Sequence, residues 1–375
     1  MIQPHENPPS QSVIPGVVER RERGLVVLSS PSGRCVRRVL FVNNYGGAAV
    51  WDKIKRGLVP PHHLWGCLEL VRMGYEVALA EPLPDFDLRR RPLPHDFKLL
   101  PMIRSWLRPD DIVYCGHNVL YWVPLLRALG LARRHVVSLL FARETLDFGG
   151  AHSGIVALTP SAAQQAAKLT PKAKRVHLGW GADLNSFPIQ PYNPRWLLHC
   201  GISGRDFGTL QKASLQCARP VRIVSAWGID PAIWPPSVEI IDGGAGHNHE
   251  EKKVTFSELL HEHYAGSGGS LITTIPDAPQ QHAFGFTNLI EALAMSQPVI
   301  MTRTGALIDE IDVEREGCGL VVPPEDPAAL AAAMEAIMGD PARAAAMGRA
   351  SRRLCESHYN IARYANELHS FFESF

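Results

Sequence analysis

The stretch between His282 and Pro324 contains residue types and spacings that could bind an anion. Gly285 lets the backbone come close to a ligand, and a helix is predicted to begin directly after it. The free N–H groups at the start of a helix carry the positive end of its dipole, where a diphosphate is stabilised. A glycine turn is also an ordinary βα connection of a doubly wound protein, so both interpretations stay open. The N–H groups concerned belong to Phe286, Thr287 and Asn288.

Glu291 lies about one turn beyond the start of the same predicted helix. A carboxylate that lines an open cleft at that distance could accept hydrogen bonds from the hydroxyl groups of a ribose. We therefore expect the Glu291 side chain to contact the nucleoside part of a nucleotide. We also expect it to lie outside the packed core, so that its replacement by alanine would leave the fold intact.

Two further polar residues follow predicted strands. Arg205 comes after the strand at Trp196–Gly201, and a guanidinium there has the right shape for a bidentate phosphate clamp. The alternative is a surface arginine that pairs with Asp206. His117 follows the strand at Asp111–Cys115, at the carboxyl edge where ligands of α/β proteins bind. A lone histidine is more often structural, and this alternative also stays open.

Strands and helices alternate along the first half of the chain. The amphipathic segment His63–Met73 predicts a helix that ends at Gly74, and helices are also predicted at Val119–Leu129 and Ser161–Lys168. Such alternation indicates parallel βαβ units and therefore an α/β protein. The apolar runs of this half predict strands at Arg38–Asn43, Glu76–Leu79, Asp111–Cys115, Val136–Phe141 and Gly154–Leu158.

The alternation restarts after a proline-rich segment. Pro188–Pro194 contains three prolines within seven residues and is predicted to be a linker. Further along, the run QPVIMT predicts a core strand, and the last predicted helix has an apolar stripe that is typical of core packing. Strands of this half are predicted at Trp196–Gly201, Val221–Trp227 and Leu271–Ile275, and its last helices at Pro327–Met338, Pro341–His358 and Ile361–Phe375.

This order of motifs resembles the donor-binding segment of the family-4 glycosyltransferases. That family has the GT-B fold, in which two Rossmann-like domains with parallel sheets face each other. The resemblance therefore implies an α/β chain of this fold. A second similarity, at Gly181-Ala182-Asp183 and Phe187-Pro188, is to the family hinge. The donor-block motifs are Phe284-Gly285, Glu291-Ala292-Leu293-Ala294, Pro298-Val299-Ile300, Gly305, Glu310-Ile311 and Gly317–Pro323.

The sequence departs from the family pattern in two ways. The gap from Gly285 to Glu291 is one residue longer than the usual spacing. The first acidic residue of the family pattern is absent, because counting back from Glu291 reaches Ala283 and counting from the Phe-Gly pair reaches His282. Both changes concern the way in which the site would hold the donor.

The resemblance also implies roles for residues outside the donor block. Gly204 and Arg205 lie in a turn similar to the one that places a basic residue on the donor phosphates. His117 resembles the family histidine that touches the donor sugar. On the acceptor side, a glycine loop and two histidines would lie near the same cleft, although a simple strand-to-helix turn explains them nearly as well. These acceptor-side candidates are Gly46, Gly47, His62 and His63.

At 375 residues the chain has room for two domains of ordinary size. We predict a flexible N-terminal segment over residues 1–37, because its beginning is polar and rich in proline. An acceptor-side Rossmann-like domain is predicted over residues 38–187 and a sugar-nucleotide-binding domain over residues 188–360. The resemblance implies that the C-terminal helix, residues 361–375, packs on the first of these domains.

Composition narrows the classes of protein that fit. Seven scattered cysteines without a CxxC pair favour reduced thiols in a cytoplasm and argue against a zinc site. The apolar runs are shorter than the ~20 residues that span a bilayer. The N-terminus lacks the basic and apolar regions of a signal peptide. We therefore expect a cytoplasmic protein that could contact a membrane only at its periphery.

Charge is unevenly distributed along the chain. Through residue 185 there are 24 Lys and Arg against 15 Asp and Glu, and the remainder has 14 against 22. Basic clusters occur at Lys53–Arg56, Arg89–Arg91 and Arg133-Arg134. A solvated face explains them, and the functional alternative is attraction to an anionic membrane surface or an anionic acceptor. Nucleic acid is disfavoured, because aromatic residues are not interleaved with the basic ones.

Three functions stay open. The first is a retaining glycosyltransferase of the hexosyltransferase class, which would move a sugar from a nucleotide sugar to a glycan, lipid or small-molecule acceptor. It would need no metal or other cofactor, and Arg205 would neutralise charge on the leaving group. The second is a sugar-nucleotide epimerase of the same fold, although no convincing acid/base carboxylates are evident. The third is a non-catalytic relative that binds a sugar nucleotide or only a protein partner.

Overall fold

The computed structural model describes residues 14–22, 24–43, 45–80, 104–116, 134–141, 152–189, 192, 194–201, 203–225, 229–243, 253–276 and 283–375. Within these ranges the chain forms two sheets covered by helices, which confirms the predicted α/β class. Some predictions fall outside the described residues, namely those for Arg89–Arg91, His117, Val119–Leu129, Arg133 and His282.

The first half of the chain forms an eight-stranded sheet. Its strands are β1 (Val18–Glu22), β2 (Leu25–Ser29), β3 (Arg38–Val42), β4 (Glu76–Leu79), β5 (Ile112–Gly116), β6 (His135–Leu140), β7 (Gly154–Ala157) and β8 (Lys174–His177). They lie in the order β1-β2-β4-β3-β5-β6-β7-β8. The pairs from β4 to β8 are parallel, whereas β1 and β2 are antiparallel. Strands β4, β5 and β7 are buried along their whole length, as expected for parallel strands with helices on both faces.

The two antiparallel strands correct the prediction that residues 1–37 are flexible. Residues Leu25–Leu28 of β2 are buried, and β2 pairs with β4 in the interior of the sheet. Strand β1, with the sequence VERRE, covers the outer edge. The apolar run of β2 is short, with charged residues before it and serines after it, so its burial depends on a pairing that local sequence does not show.

The second half forms a six-stranded parallel sheet. Its strands are β9 (Trp196–Cys200), β10 (Val221–Ser225), β11 (Val238–Asp242), β12 (Ser267–Ile272), β13 (Val299–Thr302) and β14 (Gly319–Val322). The order is β11-β10-β9-β12-β13-β14, and every pairing is parallel. The direction of strand succession reverses between β9 and β12. In open α/β sheets the ligand crevice lies outside the carboxyl ends of the strands at such a point.

Strand β12 begins earlier than the predicted strand Leu271–Ile275. Its first residues are small, and Gly268 lies against Pro194 and Met338, where a Cβ would be crowded. The glycines weaken the local strand signal but allow a helix to pack closely on the sheet.

The helices alternate with these strands, and most begin with an Asp, Thr or Asn cap. Helices α8 and α9 illustrate this, because Asp326 and Asp340 accept hydrogen bonds from backbone N–H groups and a proline follows each cap. The helices are α1 (Gly47–Lys55), α2 (Cys67–Arg72), α3 (Pro160–Leu169), α4 (Phe207–Gln216), α5 (Phe256–Glu258), α6 (Phe286–Ala294), α7 (Gly305–Glu310), α8 (Pro327–Gly339), α9 (Pro341–His358) and α10 (Ile361–Glu373). Helix α5 continues as a π-helical segment (Leu259–Tyr264), and short 3₁₀ turns lie at Pro61–Leu64, Leu184–Ser186 and Pro231–Ile233.

The predicted helix His63–Met73 is interrupted in the structure. The 3₁₀ turn Pro61–Leu64 ends where Trp65 and Gly66 take φ values of 52° and 82°. Helix α2 then starts at Cys67. Trp65 stacks on Trp180 with ring centroids 4.0 Å apart, a tertiary contact that accompanies its unfavourable backbone conformation.

Helix α10 returns to lie on the first sheet. The hydroxyl groups of Tyr364 and of Tyr114 in β5 are 2.6 Å apart and form a buried hydrogen bond. Arg37 Nη1 donates to Phe372 O at 2.6 Å. The chain reaches α10 by passing the hinge, where Ala182 N–H donates to the carbonyl oxygen of Tyr359 at 2.9 Å. Within the described residues, no helix has both the length and the apolar character that a bilayer span requires.

Candidate functional site

The start of helix α6 lies at the carboxyl edge of the second sheet. Gly285 forms the N-cap with φ 92°, a left-handed conformation that favours glycine. A Cβ at this position would crowd Ile272 of β12 and would lie 3.5 Å from Arg205 Nη1. The glycine therefore lets the helix begin close to both the central strand and the arginine.

The first amide groups of α6 differ in their availability. The Phe286 N–H donates to Ala283 O at 3.2 Å. The N–H groups of Thr287 and Asn288 belong to the first turn, where a helix provides no acceptor of its own. These donors, together with the positive end of the helix dipole, make the N-terminal end of α6 suitable for binding an anion.

Arg205 is buried, and backbone and amide groups hold its guanidinium. Its Nε donates to Cys200 O at 3.1 Å, and its Nη1 donates to Ser203 O at 3.0 Å. Its Nη2 donates to Asn288 Oδ1 on α6. Burial lowers the pKa of Arg205 to about 10, so the group is still charged at neutral pH. These bonds use three of the five N–H donors of a guanidinium.

The alternative pairing of Arg205 with Asp206 is not formed. Asp206 instead caps α4, and its Oδ1 accepts a hydrogen bond from Thr209 N–H at 2.9 Å. The preceding Gly204 has φ 62°, and its carbonyl oxygen accepts from Ile275 N–H at 3.0 Å. A side chain at Gly204 would overlap the ring of Phe284. The turn is thus packed directly against the Phe-Gly pair of the donor block.

Three buried threonines, which were not predicted from the sequence, lie beside this site. Thr274 follows β12, Thr302 ends β13, and their Oγ1 atoms are 3.0 Å apart. Thr304 Oγ1 also contacts Thr274 Oγ1. Threonines after successive parallel strands were a usable signal, because the carboxyl ends of such strands meet at one edge.

His199 of β9 lies behind Arg205. Burial, together with the positive charge of Arg205, lowers the pKa of His199 to about 3, so the imidazole is neutral. Its Nε2 is 3.1 Å from Thr273 Oγ1. A neutral ring adds no repulsion to the buried guanidinium.

The structure corrects the expectation that Glu291 lines an open cleft outside the core. Its exposed fraction is 5%, and it lies against the histidine pair of the first half of the chain. Its Oε1 is 3.6 Å from His62 Nε2 and 3.8 Å from His63 Nε2. Both distances exceed those of normal hydrogen bonds, so the contact is electrostatic in this arrangement. Burial alone would raise the pKa of Glu291, but the two imidazoles outweigh it and lower the pKa to about 2.

His62 and His63 belong to the 3₁₀ turn Pro61–Leu64 in the first half of the chain, and both face helix α6. Their rings stack with centroids 5.0 Å apart. The His62 ring also packs on Trp180 and Phe187 of the hinge, at 5.3 and 5.7 Å. The two histidines that were predicted on the acceptor side therefore lie next to Glu291, a predicted donor-binding residue.

Ligand atoms of His62, His63 and Glu291 lie within 4.8 Å of one another, close enough for a metal ion. The protonation of His62 argues against this use. Asp183 N–H donates to His62 Nδ1 at 3.3 Å, so Nδ1 carries the lone pair and the proton lies on Nε2. A metal bound at Nε2 needs the lone pair there, and its ligand histidine normally donates from the other nitrogen. The two histidines are better suited to hold the carboxylate of Glu291 than to bind a metal ion.

The predicted acceptor-side glycines lie at the start of α1, after β3. Gly46 is the N-cap of α1, and a Cβ on Gly47 would lie 3.2 Å from Leu79 Cβ. The neighbouring Tyr45 donates its hydroxyl to His63 O at 2.8 Å. The glycine loop is therefore tied to the histidine turn through Tyr45.

Ala283 stands at one of the two positions that replace the first family acid. Its carbonyl oxygen accepts the Phe286 N–H, and its methyl group packs against the core. The alternative position, His282, lies outside the described residues. Ala283 therefore supplies no side-chain acceptor for a sugar hydroxyl.

One known protein family matches the region that contains this site. Residues 273–340 match the family described as "Glycosyl transferases group 1". This match runs from the end of β12 through α6, β13, α7 and β14 to the end of α8. No curated protein matches the chain in sequence.

Solved structures resemble most of the chain. Sucrose-phosphate synthase from Thermosynechococcus elongatus has 15% identity and a TM-score of 0.66, covering 90% of this chain and 98% of that one. Anabaena HepE in complex with UDP has 15% identity and a TM-score of 0.60, with coverages of 90% and 100%. A UDP-forming α,α-trehalose-phosphate synthase from Burkholderia vietnamiensis has 12% identity and a TM-score of 0.63, with coverages of 90% and 99%.

These likenesses, at 12–15% identity, establish the fold, which is GT-B as the sequence resemblance implied. The family match falls on the segment that resembled the donor-binding block, and it confirms the prediction of a glycosyltransferase.

Proposed function

We propose that the protein is a retaining glycosyltransferase that moves a hexose from a nucleotide sugar to a glycan, lipid-linked or small-molecule acceptor. The observation that carries this proposal is the N-terminal end of α6, which lies beside the buried Arg205 and contacts it through Asn288 Oδ1. A buried cation without a carboxylate partner is costly unless an anion completes it. A donor diphosphate supplies that anion.

The similar structures support a proposal for the donor class. HepE was solved with UDP and with UDP-glucose, and the trehalose-phosphate synthase is described as UDP-forming. We extend this chemistry to the present chain and propose a uridine diphosphate sugar as the first donor to test. The diphosphate would lie on Thr287 and Asn288 N–H and on the guanidinium of Arg205.

The proposed reaction needs charge stabilisation on the leaving diphosphate. Fixed N–H donors and a preoriented guanidinium provide it without reorganisation during bond cleavage. A guanidinium can take the place of a divalent ion as the counter-charge, and we propose that the enzyme works without a metal. Retention of the anomeric configuration is proposed from the resemblance to the family-4 enzymes.

The cytoplasm is the proposed location, with peripheral membrane contact as an extension. The described basic cluster Lys53–Arg56 gives this extension little support. Lys55 Nζ lies 2.8 Å from Glu19 Oε2 and 2.9 Å from Asp52 Oδ1, so acidic neighbours neutralise much of its charge. Contact with an anionic surface would depend on other basic clusters, of which Arg89–Arg91 is the densest.

The decisive experiment is a binding panel of nucleotide sugars measured by calorimetry, followed by product analysis with a set of acceptors. We expect one nucleotide class to bind, and we expect the transferred sugar to keep its anomeric configuration by NMR. If no member of a broad panel binds, the proposal is wrong. A changed sugar nucleotide in the absence of any acceptor would identify an epimerase, and binding without turnover would identify a non-catalytic relative.

A further inference from the structure

We propose that His62 and His63 of the N-terminal domain are positioning residues for Glu291. The two imidazoles hold the carboxylate of the donor helix across the interface between the domains, so that it is oriented for the ribose of the donor. This inference rests on the proposed function, because it assigns the role of the histidines in the same site.

The geometry of the carboxylate supports this role. Both imidazole Nε2 atoms approach the same oxygen, Glu291 Oε1, at 3.6 and 3.8 Å. A carboxylate accepts hydrogen bonds on both oxygens. Because both imidazoles approach Oε1 most closely, we place the ligand hydroxyls on the other oxygen of the carboxylate.

The tautomer of His62 determines which group donates in its interaction with Glu291. Asp183 N–H points at His62 Nδ1, so the Nε2 proton points towards Glu291. His62 is fully buried, and no acceptor among the described residues lies within hydrogen-bond distance of its Nε2. A buried donor without an acceptor is costly. A small approach of Glu291 when a ligand binds would remove that cost.

The histidine turn is itself held rigidly. Trp65, which ends the turn, stacks on Trp180 with an interplanar angle of 19°. Trp180 in turn contacts Phe286, the first residue of α6, at 6.3 Å between ring centroids. The turn, the hinge and the donor helix are thus packed together. The histidines can therefore fix the carboxylate only while the two domains keep this arrangement.

This arrangement predicts that the histidines act on donor affinity rather than on chemistry. Loss of the His62 N–H should weaken donor binding about tenfold, as expected for a hydrogen bond to a charged group. The donor KM should rise by a similar factor, while kcat at saturating donor should change much less. Replacement by glutamine keeps an N–H donor near the position of Nε2 and should restore most of the affinity.

The test is a double-mutant cycle on the full-length protein, with donor Kd measured by calorimetry. The variants are His62→Leu, Glu291→Gln and the combination of the two, with His62→Gln as the rescue. His261→Leu, at an exposed histidine of the π-helical segment, is the matched control and should leave Kd unchanged. If His62 acts through Glu291, His62→Leu should weaken binding in the wild-type background and have almost no effect in the Glu291→Gln background.

Additive effects in the cycle would overturn the positioning role. A stoichiometric divalent ion in purified wild-type protein, lost in His62→Leu, would also overturn it, because the cluster would then be a metal site. Wild-type protein that binds no nucleotide sugar would remove the proposed function together with this inference. Binding with additive effects would remove the inference alone. If His62→Leu does not fold, His63→Leu provides the same cycle, because that side chain is 23% exposed.

Discussion

At the scale of single residues, the site is defined by the partners of a few buried polar groups. Arg205 contacts carbonyl oxygens of Cys200 and Ser203 and the amide of Asn288, all of which are neutral. Glu291 faces two imidazoles. Arg205 therefore stays charged without a carboxylate partner, and Glu291 stays charged without a Lys or Arg partner. Both side chains can still form hydrogen bonds to a ligand.

Arg205→Met should weaken donor binding strongly. The change removes the charge that we place on the diphosphate, and a lost charge-assisted hydrogen bond costs about 1.5–3 kcal/mol, or about 10–100-fold in Kd. Asn288→Ala should give a smaller effect, because it removes only one of three groups that orient the guanidinium. Calorimetric Kd values of both variants test this ranking. An Arg205→Met protein with wild-type affinity would exclude contact with the donor.

The ionisation of Glu291 should make the free energy of unfolding depend on pH in the acidic range. Its pKa is lowered to about 2 in the folded chain. The stability gained from ionisation is present above the unfolded pKa of about 4.3 and is lost as pH falls through the folded value. Urea unfolding of wild type and Glu291→Gln should therefore show a free-energy difference that shrinks between pH 5 and pH 2. A constant difference would contradict the depressed pKa.

At the scale of elements, the site depends on where helices begin. Gly285 allows α6 to start against Ile272 of β12, and Gly204 allows the arginine turn to pack under Phe284. The interruption at Trp65 and Gly66 separates the histidine turn from α2. Each of these points uses positive φ, a conformation that brings backbone donors or side chains to the cleft.

Gly285→Ala should damage the donor site through the backbone. Alanine at φ 92° is strained, by roughly 1–2 kcal/mol, and its Cβ would push α6 away from Ile272. We expect weaker donor binding together with lower stability. The matched control is Gly208→Ala in α4, where a Cβ meets only Asp206 Oδ1 at 3.7 Å and should be neutral or mildly stabilising. Equal donor Kd values for Gly285→Ala and Gly208→Ala would contradict the role of this turn.

At the scale of the whole molecule, two connections fix the relation between the sheets. Helix α10 returns to the first sheet, where Tyr364 bonds to Tyr114. On the second sheet, Glu310 of α7 lies 2.7 Å from His177 Nε2 at the end of β8. These contacts join the domains near the hinge. They also keep the histidine turn opposite the donor helix.

The basic character of the N-terminal half leads to a prediction about membranes. Reversal of Arg89, Arg90 and Arg91 to glutamate should reduce sedimentation with anionic vesicles at low salt, because each cation near such a surface contributes roughly 1 kcal/mol. Donor Kd should not change. Wild-type protein that does not sediment with vesicles rich in phosphatidylserine would refute membrane contact, and the cluster would be an ordinary solvated face.

The sequence by itself determined the class of fold and the position of the donor block. Alternating apolar runs and amphipathic segments depend on local periodicity, so strands such as Glu76–Leu79 and helices such as Pro341–His358 were predicted within a residue or two of their observed ends. The glycine, the start of α6 and Glu291 are neighbours in the chain. Their order carries the signal, and the match to the group 1 glycosyl transferases covers the same segment.

Only the tertiary structure decided how the polar residues are paired. Strands β1 and β2 depend on pairing with β4, which no local pattern reveals. Arg205 meets Asn288 because α4 and α6 flank one switch in strand order. His62 meets Glu291 because two separate domains face each other. Such contacts join residues that are distant in the sequence, and their energy depends on burial and orientation, which composition and spacing do not contain.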